Sequence, residues 1–254
     1  LCIEELKKIR QIETRLSGRL QQLAHPEEIL NVGIGLMHSV AWMPRLLPLF
    51  HEHYPDVSVR LIEQGDELLL KALQSNDADI IIGGMPVSTQ DVTVTLALEQ
   101  LLLIVPRAFN IIPSWAYTGN SYENPYEIDP KQLQGLPLIL PSTVNDIGGI
   151  TNQVLEHFDI RPKFVTTVDS MQTAAMLVAQ DMGYLFTSPI FLKAQMAELA
   201  PNIVYCMARG IPDSRKIVAV YHSDTYKEEM ISQFLKLLRV VMFKDQPGMF
   251  PLDG

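Results

Sequence analysis

Gly33-Ile34-Gly35 follows a short apolar run and precedes a segment with helical spacing. This is how a dinucleotide fingerprint opens, with glycines letting backbone N–H groups approach a pyrophosphate. The third glycine is missing, because His38 stands in its place. Glu63, the acid that would meet a ribose, comes later than the roughly 20 residues such a motif uses. His51-Glu52-His53 offers two imidazoles and a carboxylate. Residues two apart on a helix point away from each other, so the triplet reads as a solvated helix end rather than a metal site. Cys206 sits in an apolar, strand-like context that suits a core thiol. No G-x-S-x-G elbow, Walker A loop, zinc-type cysteine pair or H-E-x-x-H occurs. With no catalytic constellation legible, the expectation is a protein that is not an enzyme and carries no metal or cofactor.

The remaining polar residues with a chemical use lie where strands give way to helices. Leu36-Met37-His38-Ser39 follows a first strand, Gly65-Asp66 a second and Gly84-Met85 a third. Further along, Ser142-Thr143, Asp169-Ser170 and Thr187-Ser188 stand in the same relation to three more. Helix N-termini present N–H groups without intrahelical partners and the positive end of a dipole, and Ser or Thr hydroxyls add donors there. Singly, such residues do no more than cap their helices. Together, in a fold with a central cleft, they suit a small anion or carboxylate.

The elements behind these turns alternate. Residues 29–34, 57–62 and 78–82 read as strands, with helices over 40–54 and 66–74 and Asp66 as an N-cap. That order implies parallel βαβ units with right-handed crossovers. Two β-rich stretches (92–98 and 101–105) and a loop over 106–127 follow. Strands over 136–140, 163–168 and 184–187 then alternate with helices over 145–158, 169–180 and 189–199. Strands over 203–207 and 216–221 and a helix over 225–243 close the chain, and 245–254 reads as loose. Residues 1–24 carry Ile3, Leu6, Ile9, Ile12, Leu16, Leu20 and Leu23 every three or four positions among Lys7, Lys8, Arg10, Arg15 and Arg19. This is a helix with a narrow apolar stripe that wants a partner, stopped by His25-Pro26. Two α/β lobes joined near 100–106 and 205–215 make a hinged cleft, with ligands expected beyond the C-terminal strand ends.

Composition narrows the function. The chain has 254 residues, 47% hydrophobic and 19% charged, which is ordinary globular composition. Its net charge of −9 disfavours nucleic-acid binding over the whole surface, because phosphates repel it. Two cysteines, Cys2 and Cys206, exclude a disulfide scaffold and fit a reducing, cytoplasmic setting. No apolar run is long enough for a transmembrane helix, and no signal-peptide layout opens the chain. Leu1 is not methionine, so the expectation is a processed chain or a fragment with its upstream part missing.

Several segments, in order, resemble the regulatory part of LysR-type transcriptional regulators. They are Leu30-Asn31-Val32-Gly33-Ile34-Gly35; Met43-Pro44-Arg45-Leu46-Leu47-Pro48-Leu49-Phe50 with Tyr54-Pro55-Asp56-Val57; residues 63–73 with Asp77-Ala78-Asp79-Ile80-Ile81-Ile82; Leu133-Gln134-Gly135-Leu136-Pro137-Leu138-Ile139; and Val178-Ala179-Gln180-Asp181-Met182-Gly183-Tyr184. The series covers about 29–190.

The resemblance implies two Rossmann-like lobes joined by two crossover strands, like type 2 periplasmic binding proteins, after an N-terminal linker helix. It implies a linker helix over 1–25, one lobe over 29–104 with 208–245, a second over 105–207, and a tail over 246–254. It implies a small-molecule inducer in the cleft, a homodimer or homotetramer, no membrane contact, and DNA contact only through a winged helix-turn-helix upstream. Carried over by position, inducer contacts fall on Met37, His38, Ser39, Gly65, Asp66, Ser142, Thr143, Phe186 and Thr187. Many members place Ser or Thr where Gly65-Asp66 stands; an acid there disfavours an anion unless it caps its helix. No arginine falls in these turns. Residues 44–53 are expected to pack against 173–180 of a neighbouring subunit. An extracytoplasmic solute-binding protein, or a two-lobed enzyme such as a deaminase or dehydratase, is the alternative.

Overall fold

A computed structural model describes residues 28–84, 91–142, 146–191, 200–211, 214–244 and 249–250. The expected helix over 1–24, Met85, Thr143 and most of the expected helix over 189–199 lie outside the described residues. The chain divides into two compact units. The first holds the described residues up to Leu96 together with Val218–Met242, and the second holds Ala97–Ile217 and the described residues from Phe243 onward. The sequence placed the changes of lobe at 104/105 and 207/208. These compact units part inside two strands, β4 (Val92–Gln100) and β11 (Ser214–Tyr221).

In the first unit, β1 (Glu28–Ile34) leads into α1 (Leu36–His53), β2 (Val57–Glu63) into α2 (Asp66–Gln74), and β3 (Ile80–Gly83) follows. β1 pairs in parallel with β2 on one side and β3 on the other, as the βαβ pattern requires. β11 then runs antiparallel to β3. With β4 and the short β12 (Met249–Phe250), the sheet order is β12-β4-β11-β3-β1-β2. β12 pairs with Glu99 and Leu98, so the tail that read as loose adds a ladder at the sheet edge.

α1 starts four residues earlier than its hydrophobic period indicated. Trp42, Leu46 and Phe50, four apart, are buried, and the Phe50 ring meets Phe234 edge-on at 5.4 Å. Pro44 and Pro48 lie inside the helix but face outward. There the carbonyls they deprive of N–H partners can turn to water. Phe234 belongs to α5 (Glu228–Phe243), whose buried Ile231, Phe234, Leu235 and Leu238 recur at helical spacing. Leu69 and Leu73 of α2 form a core cluster with Ala78, Ile81, Val218 and Val220. Gly33 is required by this packing: a Cβ would lie 2.8 Å from Ile81 Cγ2 and 3.0 Å from Leu69 Cδ2. The fingerprint glycine therefore serves helix–sheet approach. Lys227 Nζ, buried, donates to Asp79 Oδ2 (2.7 Å) and to the Ile29 carbonyl (2.5 Å), while Asp79 also accepts from Asn31.

In the second unit, β5 (Leu102–Pro106), β6 (Tyr126–Ile128), β9 (Leu185–Thr187) and β10 (Ile203–Ala208) form a sheet in the order β6-β10-β5-β9. This pairing keeps 102–106 and 203–208 in one unit. β7 (Leu138–Pro141) and β8 (Val165–Val168) pair in parallel, and Leu138 bridges Tyr184 just before β9. α3 (Asp146–His157) and α4 (Met171–Val178) follow β7 and β8. A Cβ on Gly148 would strike the Pro141 and Ser142 carbonyls, so glycine lets α3 sit against the end of β7. The stretch 106–127, expected as a loop, holds short 3-10 turns and is tied down by Asn120. Its side chain donates to the Tyr205 carbonyl and accepts from the Tyr205 N–H, both at 2.8 Å, extending the ladder next to β6.

Candidate functional site

In the first unit the register sets Ile34 beside Glu63 and Ile82, so the C-terminal ends of β1, β2 and β3 share one edge. The Gln64 N–H donates to the Ile34 carbonyl at 3.3 Å, drawing the two strand-to-helix turns together. Met37, His38 and Ser39 lie in the first turn of α1, and Gly65 and Asp66 open α2. These five predicted positions are thus brought to one edge. His38 and Ser39 are buried, and Met37, Gly65 and Asp66 are half-buried. The His38 ring stacks on Trp42 at 4.6 Å and 18°. The Trp42 indole N–H is buried with no hydrogen-bond partner among the described residues.

Asp66 is not the N-cap. Gly65 holds that position in extended conformation (φ −72°, ψ 159°), and Asp66 is the first helical residue. Gly35 caps α1 in the same way, and neither glycine supplies a side-chain acceptor for the first-turn N–H groups. The two helix ends differ in charge. α2 carries Asp66 and Glu67 in its first turn, and Lys71 at 2.6 Å holds the Glu67 carboxyl below its ordinary range. α1 has no acid in its first turn. A negative group is therefore favoured at α1, where the dipole contributes about 0.3–1 kcal/mol, and opposed at α2.

In the second unit, β7 and β8 end together at Pro141 and Val168, and the Ser142 N–H donates to the Val168 carbonyl at 2.8 Å. β9 reaches the same edge through Tyr184, whose N–H donates to the Pro137 carbonyl at 3.0 Å. Ser142 and Thr187 thus stand at neighbouring strand ends. Ser170, read as the start of a helix, is the N-cap of α4 and accepts from the Thr173 N–H at 3.2 Å. Thr187 is fully buried, and its hydroxyl has no hydrogen-bond partner among the described residues. Phe186 stands apart from it, lining a small internal cavity with Leu101, Leu102, Leu103, Met207, Ala208 and Ile211.

Ser188 takes part in a network that no local pattern signals. Its hydroxyl accepts from the Ile190 N–H at 3.2 Å and donates to Glu99 Oε1 at 2.6 Å. Glu99 Oε2 lies 2.5 Å from Arg215 Nε and Nη2. All three side chains are buried and come from segments far apart in the chain.

The residues that could have done other chemistry are placed elsewhere. His51 and His53 are exposed at the end of α1, and His53 Nδ1 donates to the Leu49 carbonyl at 3.0 Å. Burial pushes the Cys206 thiol up to about 12, so it is not a nucleophile near neutral pH. Among the described residues no three His, Cys, Asp or Glu side chains form a group that could hold a metal ion, and no helix is long and apolar enough to cross a membrane.

Known proteins share this architecture. The chain is 26% identical over 213 residues to the "Probable RuBisCO transcriptional regulator" of Porphyra purpurea, covering 81% of this chain and 63% of that protein. It thus spans less than two thirds of that relative. Its fold matches a mutant of Corynebacterium glutamicum OxyR with a TM-score of 0.70 at 19% identity, covering 91% of this chain and 71% of that one. It also matches the regulatory domain of Synechocystis PCC6803 CcmR, solved in complex with 2-PG, with a TM-score of 0.70 at 17% identity, covering 86% of this chain and 99% of that one. These likenesses establish a type 2 periplasmic-binding-protein-like fold. The family model of the LysR substrate binding domain matches residues 24–242, nearly the whole chain, so this protein belongs to the LysR family and carries its regulatory domain.

Proposed function

We propose that the chain is the ligand-sensing and oligomerising region of a LysR-type transcriptional regulator and takes a small-molecule inducer at the strand ends described above. The observation that carries this reading is the Thr187 hydroxyl, fully buried with no hydrogen-bond partner among the described residues. A buried polar group without a partner costs about 1–3 kcal/mol, a cost that a ligand atom would remove. Met37, His38, Ser39, Gly65, Asp66, Ser142, Thr143 and Phe186 are the other proposed contacts.

The charge difference between the helix ends narrows the ligand. Its negative group goes to the first turn of α1, next to His38 and Ser39, and a neutral hydroxyl of the ligand donates to Asp66. With no arginine in these turns, the anion relies on N–H and hydroxyl donors, which favours a single carboxylate over a dianion. That a protein of this fold has been solved with 2-PG supports the reading of a bound small molecule. Inducer binding biases the regulator between states, and about 1–3 kcal/mol of coupling suffices. DNA is contacted by a winged helix-turn-helix upstream, inside the cell where the DNA is. Oligomerisation would use residues 44–53 of α1 and 173–180 around α4; Met176, 55% exposed, supports such a surface.

A thermal-shift screen tests the ligand reading. The panel holds small carboxylates, amino acids, aromatic acids, sugar phosphates and 2-PG. A ligand at 100 times its Kd stabilises by about 2.7 kcal/mol, which is several degrees for a chain of this size. A panel that leaves the melting temperature unmoved counts against the ligand reading. A chain still monomeric at high micromolar concentration by sedimentation counts against the oligomer.

A further inference from the structure

The second unit has room for a ligand at the far end of α3 from Ser142. Ile150, Gln153, Val154, His157 and Phe158 follow helical spacing, so they share one face of α3 and the residue just beyond it. Gly210 and Ile211, in the turn after β10, line the other side of a groove of about 360 Å³. That volume falls in the range of small-molecule pockets. Val154 and Ile211 are buried, Ile150 and Phe158 are half-buried, and Gln153 and His157 are exposed. The groove thus has an apolar floor and a polar rim. The His157 and Phe158 rings meet at 4.7 Å and 88°, forming a corner of two aromatic planes. Gly210 leaves the opposite wall bare. Its φ of +75° lies in the left-handed region, and a Cβ there would already touch Phe158 Cζ at 3.5 Å.

We propose that this groove is a second small-molecule site, which takes a neutral aromatic ring bearing an N–H or O–H donor. A flat ring stacks on one plane of the corner and meets the other edge-on. The Gln153 amide oxygen at the rim accepts from the donor. None of the lining residues is Asp, Glu, Lys or Arg, so a charged ligand finds no fixed counter-ion in the walls. The groove follows the last turns of α3, where the helix dipole is negative, and the exposed Glu156 and Asp159 flank His157 and Phe158 in the chain. Of the arginines next to these segments, Arg161 pairs with Asp159 and Arg209 with Glu127. An anion is therefore disfavoured here, the reverse of the first turn of α1. The site lies wholly within the second unit and does not rest on the inducer reading.

Methyl NMR of the chain labelled at the isoleucine δ1 positions tests this, with indole and benzamide as neutral probes and benzoate as the anionic one. Ile150 and Ile211 report the groove, and Ile104 and Ile128, buried in the same unit, serve as controls. Indole or benzamide should shift the Ile150 and Ile211 methyls saturably and leave the controls in place. Benzoate at the same concentrations should leave Ile150 and Ile211 unmoved. Gln153→Trp, at an exposed position on the rim, fills the groove and should abolish the shifts. Gln153→Leu removes only the amide and should weaken apparent affinity about 2–10-fold. The proposal is overturned if neither neutral probe gives a saturable shift, or if benzoate shifts the same two methyls as strongly. It is also overturned if Gln153→Trp, with its Ile104 and Ile128 methyls where the parent has them, still binds. The readout is local to the groove, so its outcome is separate from that of the thermal-shift screen.

Discussion

Lys227→Met should destabilise the chain far more than an ordinary lysine substitution. Lys227 is 2% exposed, and its ammonium bonds Asp79 Oδ2 at 2.7 Å and the Ile29 carbonyl at 2.5 Å. Removing it leaves a carboxylate and a carbonyl short of a donor. Breaking a buried pair costs about 3–5 kcal/mol. Two features place this case at the lower end. The Asp79 side chain is 17% exposed, and it still accepts from Asn31 N–H at 2.7 Å and Asn31 Nδ2 at 3.0 Å. With about 3 kcal/mol lost and roughly 2–4 °C per kcal/mol for a chain of this size, the melting temperature falls by about 6–12 °C. Differential scanning calorimetry measures it. Adding Asp79→Asn removes the stranded charge and keeps an acceptor for Asn31, so the double variant should recover part of the loss. A single variant within about 2 °C of the parent, or a double variant with the two losses simply added, would refute the reasoning.

Other consequences follow from particular side chains. Gly33→Ala places a Cβ 2.8 Å from Ile81 Cγ2, so it should cost about 1–3 kcal/mol by overpacking, read as a lower urea midpoint. Thr187→Val removes a hydroxyl that has no partner among the described residues, so it should leave the melting temperature unchanged or higher. Affinity for whichever carboxylate the screen identifies should drop by about 2–10-fold, the worth of one hydrogen bond; unchanged affinity would take Thr187 out of the site. The Cys206 thiol lies at about 12 in the folded chain against an ordinary 9.0. The unfolded chain therefore loses this proton first, and stability falls as pH rises above about 9 toward 12. Cys206→Ala should flatten that slope, and in a Cys2→Ser background native Cys206 should resist Ellman's reagent until the chain unfolds.

Much of the first unit was legible because its signals are local. An apolar run ending in Gly33-Ile34-Gly35, alternation over 57–62, and helical spacing from Asp66 to Gln74 each arise within one element. The start of α1 was less legible. Gly35 ends the strand without a capping side chain, so nothing in the sequence marks Leu36 as helical. Asp66 looked like an N-cap because Asp often is one; the extended backbone at Gly65 puts it one residue further in. The tail pairs with β4 through backbone groups, which composition does not report.

By itself the sequence determined the alternation of elements, the parallel βαβ units and the ordered family segments, since period and turn chemistry act over a few residues. The tertiary structure decided which turns share an edge, because strand register is a relation between distant segments. It decided that Thr187 has a buried hydroxyl without a partner among the described residues while its neighbour Phe186 lines a cavity, because successive strand residues point to opposite faces. It alone decided that Glu99 pairs with Arg215 and Lys227 with Asp79, at separations of 116 and 148 residues. Buried charges find their partners through folding, and no local spacing encodes a contact that the whole core must close around.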